Sequence, residues 1–331
     1  MRPTLPMIAC LFLAACAVDT LSPPTRVASD LQPVDLQANR NKLKSSGQLV
    51  VWGDNSAQQI SDAPVGDDID ALAVGGARQG LVIRQDGSLA LWGSVGVPKT
   101  VPQPIPAAVA NDRYESAFLS LGYLLAVRKN HTVVSWGSYF DGTSPAAPAG
   151  LKATKVGGGA NHSVALGVDG RLVSWGAGPG AITPPPSGKF TDVAGRTLYS
   201  IAIRKDGTLF GWGGGQFAAD IFRGWTSDGE GHMYIPGERF VSLAAGNQHI
   251  LALRADGTVA GWGKNLLGEN TAPSGIRFMA IAAGSGYSIG LTEEGTIRHW
   301  GDSSNGTANV PAGLFASIAA GARHASALRA E

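Results

Sequence analysis

The chain has 331 residues, of which 46 are glycine and only 15% are charged, and its formal net charge is +1. This composition of short apolar runs and frequent turns suits an all-β globular protein. The near-zero charge, without a block of lysine or arginine, excludes the electrostatic footprint of a nucleic-acid binder.

Residues 1–15 begin with Arg2 and then an apolar run from Leu5 to Ala15, too short to span a bilayer and suited to a secretory signal. The ending Leu13-Ala14-Ala15-Cys16 resembles the lipobox of bacterial lipoproteins. That resemblance implies cleavage before Cys16 and a mature N-terminus at Cys16 carrying three acyl chains, an attachment several chains make long-lived. Ala17 in place of an aspartate resembles outer-membrane sorting. The only other cysteine, Cys10, lies inside the expected signal, so no disulfide is expected. Residues 16–44 carry Pro23, Pro24 and Pro33 without sustained periodicity and read as a tether.

From residue 45 the chain repeats one phrase, seen most cleanly from Val241 to Gly263. Two short apolar strands around Gly246 lead into a tight turn at Asp256-Gly257 and a third strand ending in Trp262-Gly263. One hairpin of this size is marginal in water and must stack on copies of itself. Trp-Gly pairs begin at Trp52, Trp92, Trp136, Trp175, Trp212, Trp262 and Trp300, at spacings of 40, 44, 39, 37, 50 and 38 residues, which signals a propeller or solenoid. The turn recurs at Asp86-Gly87, Asp169-Gly170, Asp206-Gly207 and Glu294-Gly295, while the third unit has Asn130-His131. Both ends of the array are half-hairpins. Pairing the strand at about 47–53 with the last unit at about 314–331 would satisfy both raw edges and close a ring of seven blades over 45–331.

The pattern of Ala-Ala-Gly, His, Ala-Leu, Asp-Gly and Trp-Gly resembles the RCC1 repeat family, seven-bladed propellers named after the regulator of chromosome condensation. The short period and the phrase from Asn309 to Leu328 resemble most closely the bacterial branch typified by β-lactamase inhibitor protein II. The resemblance covers residues 45–331 and implies a monomeric ring whose loops at one end cover a protein partner. It does not fix function, since propellers host unrelated activities.

Within the repeat, each tryptophan is expected to pack between neighbouring blades, with its glycine permitting a sharp exit. His162, His249 and His324 share one repeat position with Tyr199, Tyr287, Tyr123 and Gln79. Residues that share only hydrogen-bonding capacity suit a structural role better than a metal centre, so no metal is expected there. The chain has no zinc-binding helix motif or phosphate loop, and neither catalysis nor a cofactor is expected.

Function on a repeat scaffold concentrates where the repeat breaks. The 50-residue interval after Trp212 carries Phe217, Phe222, Arg223, Trp225, Glu230, His232, Met233 and Tyr234; the 44-residue interval adds Asp112, Arg113 and Tyr114; the loop after Trp136 adds Tyr139, Phe140 and Asp141. Two readings compete. In one, Phe222, Arg223, Trp225, His232, Tyr234, Tyr139, Phe140 and Tyr114 anchor a partner-binding surface. In the other, Trp225 and Phe222 fold back into a satellite core. A calcium site at 228–231 lacks the alternating oxygen ligands of a calcium loop. The sequence therefore leads to an expectation of a non-catalytic protein-interaction module, lipid-anchored in the bacterial envelope. A glycan-binding propeller is the alternative.

Overall fold

The computed structural model describes residues 43–76, 78–93, 105–139, 141–178 and 183–331. The expected signal, Cys16, most of the tether and Phe140 lie outside them. The described residues form seven antiparallel-based sheets, the third to seventh following the expected units. The fifth is typical: Ser242–Ala245, His249–Leu253 and Val259–Gly263 run side by side, with Ala245 opposite Ile250 and His249 opposite Gly263. Because the middle strand is wholly buried, it reads as a continuous apolar run rather than an alternation.

The hairpin turn is built by its own residues. Asp86, Asp169, Asp206 and Asp256 each accept the amide two residues on, at 2.7–2.9 Å, and the following glycines sit at positive φ. In the third unit His131 takes the glycine's left-handed conformation at φ 67°, and Asn130 supplies the side-chain acceptor. The turn also reaches forward. The amides of Tyr114, Phe190, Phe240, Phe278 and Phe315, which open the next sheet, donate to the carbonyls of Gly87, Gly170, Gly207, Gly257 and Gly295 at 2.8–2.9 Å. Each turn thus pins the sheet that follows it.

At the opposite end of every sheet lies a Trp-Gly pair, whose glycine has positive φ in all seven units. Trp52, Trp92, Trp212 and Trp300 are buried, and Trp136, Trp175 and Trp262 are half-buried. The indoles of Trp52, Trp92 and Trp175 donate to the carbonyls of Thr307, Gln59 and Pro145 at 2.8–3.0 Å, so the residue also ties down a loop beyond its strand.

Closure follows the two half-hairpins. Ser45–Gly53 pairs antiparallel with His324–Ala330, Gly53 opposite His324 and Leu49 opposite Leu328, and the Ser46 hydroxyl reaches the carbonyl of Arg329. The core is divided among the gaps between sheets: Phe118, Tyr123, Leu125 and Val127 of the second sheet meet Ala153, Val156 and Ala165 of the third, and the pattern recurs to Leu328 against Ile69 and Val82.

The long insert after Trp212 adds a short helix, Gly215–Ile221, and two strands, Thr226–Ser227 and His232–Tyr234, that extend the fourth sheet to five strands. Tyr234 stacks on Phe210 at 5.6 Å.

Candidate functional site

The repeat position of the histidines and tyrosines is a belt between sheets. Tyr123 donates to the carbonyls of Gly159 and His162, Tyr199 to those of Gly246 and His249, and Tyr287 to those of Gly321 and His324, at 2.5–3.1 Å. In the intervening sheets His162 and His249 reach Ser200 and Ser288 at 3.0 and 2.8 Å. Ser288 spends its hydroxyl proton on the carbonyl of Glu269, so the His249 Nε2–H donates and Nδ1 is left bare. Burial holds all three imidazoles neutral, lowering their pKa to about 4. Burial pushes the three tyrosine hydroxyls up. These residues join sheets.

Of the aromatic residues of the sequence-predicted surface, Phe222, Trp225, Tyr139 and Tyr114 are buried, a correction to the first of the two readings. Phe222 and Trp225 are 5% and 6% exposed, 5.0 Å apart, and Trp225 meets Trp262 edge-on at 5.4 Å. A Cβ at Gly211 would lie 2.3 Å from the Phe222 ring, so that glycine is the slot the ring fills. His232 is buried with its ring nitrogens against Asp228 and the carbonyl of Pro184, at 2.6 and 2.9 Å. Asp228, Glu230 and His232 gather their ligand atoms within 4.8 Å, and the bonds just named already engage His232 and Asp228. Tyr139 is buried against Tyr123 and Ser163. Tyr114 is 1% exposed and lies on the Asp-Gly face, its hydroxyl donating to Val109. Tyr234 is half-buried. For Phe222, Trp225, His232 and Tyr234 the reason is shared: the insert covers the outer edge of the fourth sheet, and these rings are what cover it, whereas Tyr139 and Tyr114 fill the gaps between earlier sheets.

Of that set, among the described residues, Arg223 alone is strongly exposed, paired with Asp220 at 2.8 Å. It stands on a groove of about 630 Å³ on the Trp-Gly face, whose other lining includes Ile221, Trp262, Lys264 and Leu266. Leu266 and Leu267 are 80% and 57% exposed. Their loop is held from within. The amide of Leu267 donates to the buried Glu269 carboxylate at 2.7 Å, and Asn265 accepts the amide of Asn270. Gln248 and Lys264 carry the groove into a second hollow, and Thr197, Asn247 and Ser285 carry that one to the mouth of the ring's axis. This is a continuous trough of mixed polar and apolar lining with an exposed apolar lip. Sequence reading missed Leu266, although a signal existed: Ser56 and Ser304 occupy its place, four residues after Trp52 and Trp300.

The fold is that of an RCC1-like β-propeller. Residues 240–269 and 280–307 match the model of the Regulator of chromosome condensation (RCC1) repeat. Among solved structures, Prp20p from Saccharomyces cerevisiae superposes with a TM-score of 0.70 at 15% identity, covering 90% of this chain and 95% of that one. Human WBSCR16 gives 0.68 at 16% identity, covering 86% and 100%. Yeast RCC1 (Prp20), in its complex with Kap60, gives 0.67 at 15% identity, covering 95% and 96%. At these identities the likeness is one of fold. A comparison with curated proteins finds no match.

Proposed function

We propose that this chain is a non-catalytic protein-interaction module whose partner docks on the Trp-Gly face along the trough from Arg223 to the axis. The observation that carries the reading is the exposed pair Leu266 and Leu267 on a loop that a buried carboxylate fixes in place. A rigid apolar lip loses little entropy on binding, and basic and amide groups beside it supply orientation. The neighbouring folds support a protein as the partner: the Prp20p structure was described with its binding properties to Gsp1p and histones, and yeast RCC1 was captured bound to Kap60. The finer part of the proposal rests on sequence. Cys16 carries the lipid, the ring is held at the envelope by the tether, and the module covers a protein surface in the manner of an inhibitor.

The test is affinity capture from envelope extract with the full chain and a Leu266→Ser, Leu267→Ser double variant of matched melting temperature. A protein retained by the parent and lost by the variant supports the reading. Equal retention by both, or a glycan-array signal without a protein, overturns it. Mass spectrometry of the N-terminal peptide from parent and Cys16→Ser tests the anchor.

A further inference from the structure

One repeat position, three residues before the belt residue, is glycine in five units: Gly76, Gly159, Gly246, Gly284 and Gly321. The reason is spatial. A Cβ at Gly159, Gly246 or Gly321 would lie 2.5, 2.4 or 2.3 Å from the Cε1 of the neighbouring histidine. The second sheet places Ser120 there, and the fourth sheet places Arg196, the largest departure the position shows. Arg196 is accommodated because it still pairs with Tyr199 in the strand, and Thr197 then turns the chain at φ 37°.

The side chain lines two cavities at once: the axial channel of about 300 Å³ between the inner strands, and its mouth of about 280 Å³ on the Trp-Gly face. It is only 9% exposed. Its Nε donates to Asn247 Oδ1 at 3.3 Å, and no carboxylate among the described residues pairs with it. Burial lowers its pKa, countered only by Tyr199 and Tyr287. The charge is therefore desolvated, and its two terminal nitrogens lack hydrogen-bond partners among the described residues, an arrangement a protein retains at a cost.

The mouth offers further side-chain donors beside it. Asn247 spends its oxygen on Arg196 and its amide on Ser285 Oγ at 3.1 Å, which leaves the Ser285 hydroxyl proton unspent. Arg323 lines the same mouth, and no aspartate or glutamate does. Asp54 and Asp302 act on Arg323 from outside it. A guanidinium fork with an added hydroxyl matches the oxygens of a carboxylate or phosphate.

We propose that the axial mouth on the Trp-Gly face binds one small oxyanion, a carboxylate or a phosphate group, held by the terminal nitrogens of Arg196 with Ser285 and Arg323. The site does not depend on the partner proposed above. The trough ends in it, so a partner's acidic side chain and a free phosphate are two sources of the same chemistry.

The experiment titrates the full chain with sodium phosphate and, separately, sodium acetate against chloride at matched ionic strength, following heat and the amide resonances of Asn247 and Ser285. Saturable binding of either anion is expected, with both resonances moving. Phosphate preference marks a phosphate ligand, and acetate preference marks a carboxylate. Arg196→Gln is expected to weaken binding about tenfold or more. Arg196→Gly, which restores the glycine of the repeat, is expected to abolish binding and to melt no lower than the parent. Absence of saturable binding by both anions, or unchanged binding in both variants, overturns the proposal.

Discussion

The hydroxyl of Tyr199 lies 2.6 Å from the carbonyl oxygen of Gly246 and crosses from the fourth sheet to the fifth. It also reaches the His249 carbonyl at 3.1 Å, so one side chain closes the seam that the insert leaves widest in sequence. Tyr199→Phe keeps the ring and removes the donor, leaving buried carbonyls without it. The expected loss is about 1–2 kcal/mol in urea unfolding. A loss under about 0.5 kcal/mol would show that backbone contacts alone hold this seam.

The buried histidines give the molecule an acid response with a defined window. In the folded chain they stay neutral to about pH 4, whereas unfolded they take up protons near 6.5. Below pH 6.5 the unfolded chain binds more protons, so stability falls as pH drops from 6.5 towards 4 and is insensitive to these groups above it. Three such groups give a slope approaching about 4 kcal/mol per pH unit. His249→Gln, the residue type that Gln79 places in the first sheet, is expected to reduce the loss between pH 7 and pH 5 by about one third. Denaturation midpoints at the two pH values measure it, and an unchanged loss refutes the assignment.

Trp225 and Leu266 separate stability from recognition. Trp225→Ala empties the space between Phe222 and Trp262 and is expected to cost about 3–5 kcal/mol. Leu266→Ser, on the exposed lip, is expected to change stability by less than about 0.5 kcal/mol. Parallel chemical denaturation decides this, and equal losses would contradict the division of roles.

Gly246→Ala tests the belt from its tight side, since the new Cβ would lie 2.4 Å from His249 Cε1 and 2.9 Å from the Gly284 carbonyl. Overpacking of this kind is expected to cost about 1–3 kcal/mol. The double change Gly246→Ala, His249→Ala is expected to recover part of the clash relative to the sum of the single changes, read as a coupling energy. Strict additivity would locate the strain at Gly284 instead.

The repeat was legible because its chemistry is local. Asp256-Gly257 specifies a turn, Trp262-Gly263 specifies a strand end, and the two half-hairpins at residues 47 and 331 call for each other. Even the exception held its place, since His131 occupies the glycine conformation it appeared to disrupt. The site was legible only in outline. An aromatic-rich insert reads the same whether it faces a partner or covers a sheet edge, and here the edge of Leu209–Gly213 claims Phe222 and Tyr234. Leu266 and Arg196 were findable by lining up the units, because each is the wrong size or polarity for its position. Neither stands out in a search for clusters.

The pairing of Ser45–Gly53 with His324–Ala330 also sets an order of events during synthesis. The first strand of the ring is made nearly three hundred residues before its partner strand, and until residues 324–330 emerge its edge has no neighbour of its own to accept. Loop closure over that span is slow compared with forming any one hairpin. Until that pairing forms, the folding chain is an open arc with two adhesive ends, the state in which a holding chaperone would matter most.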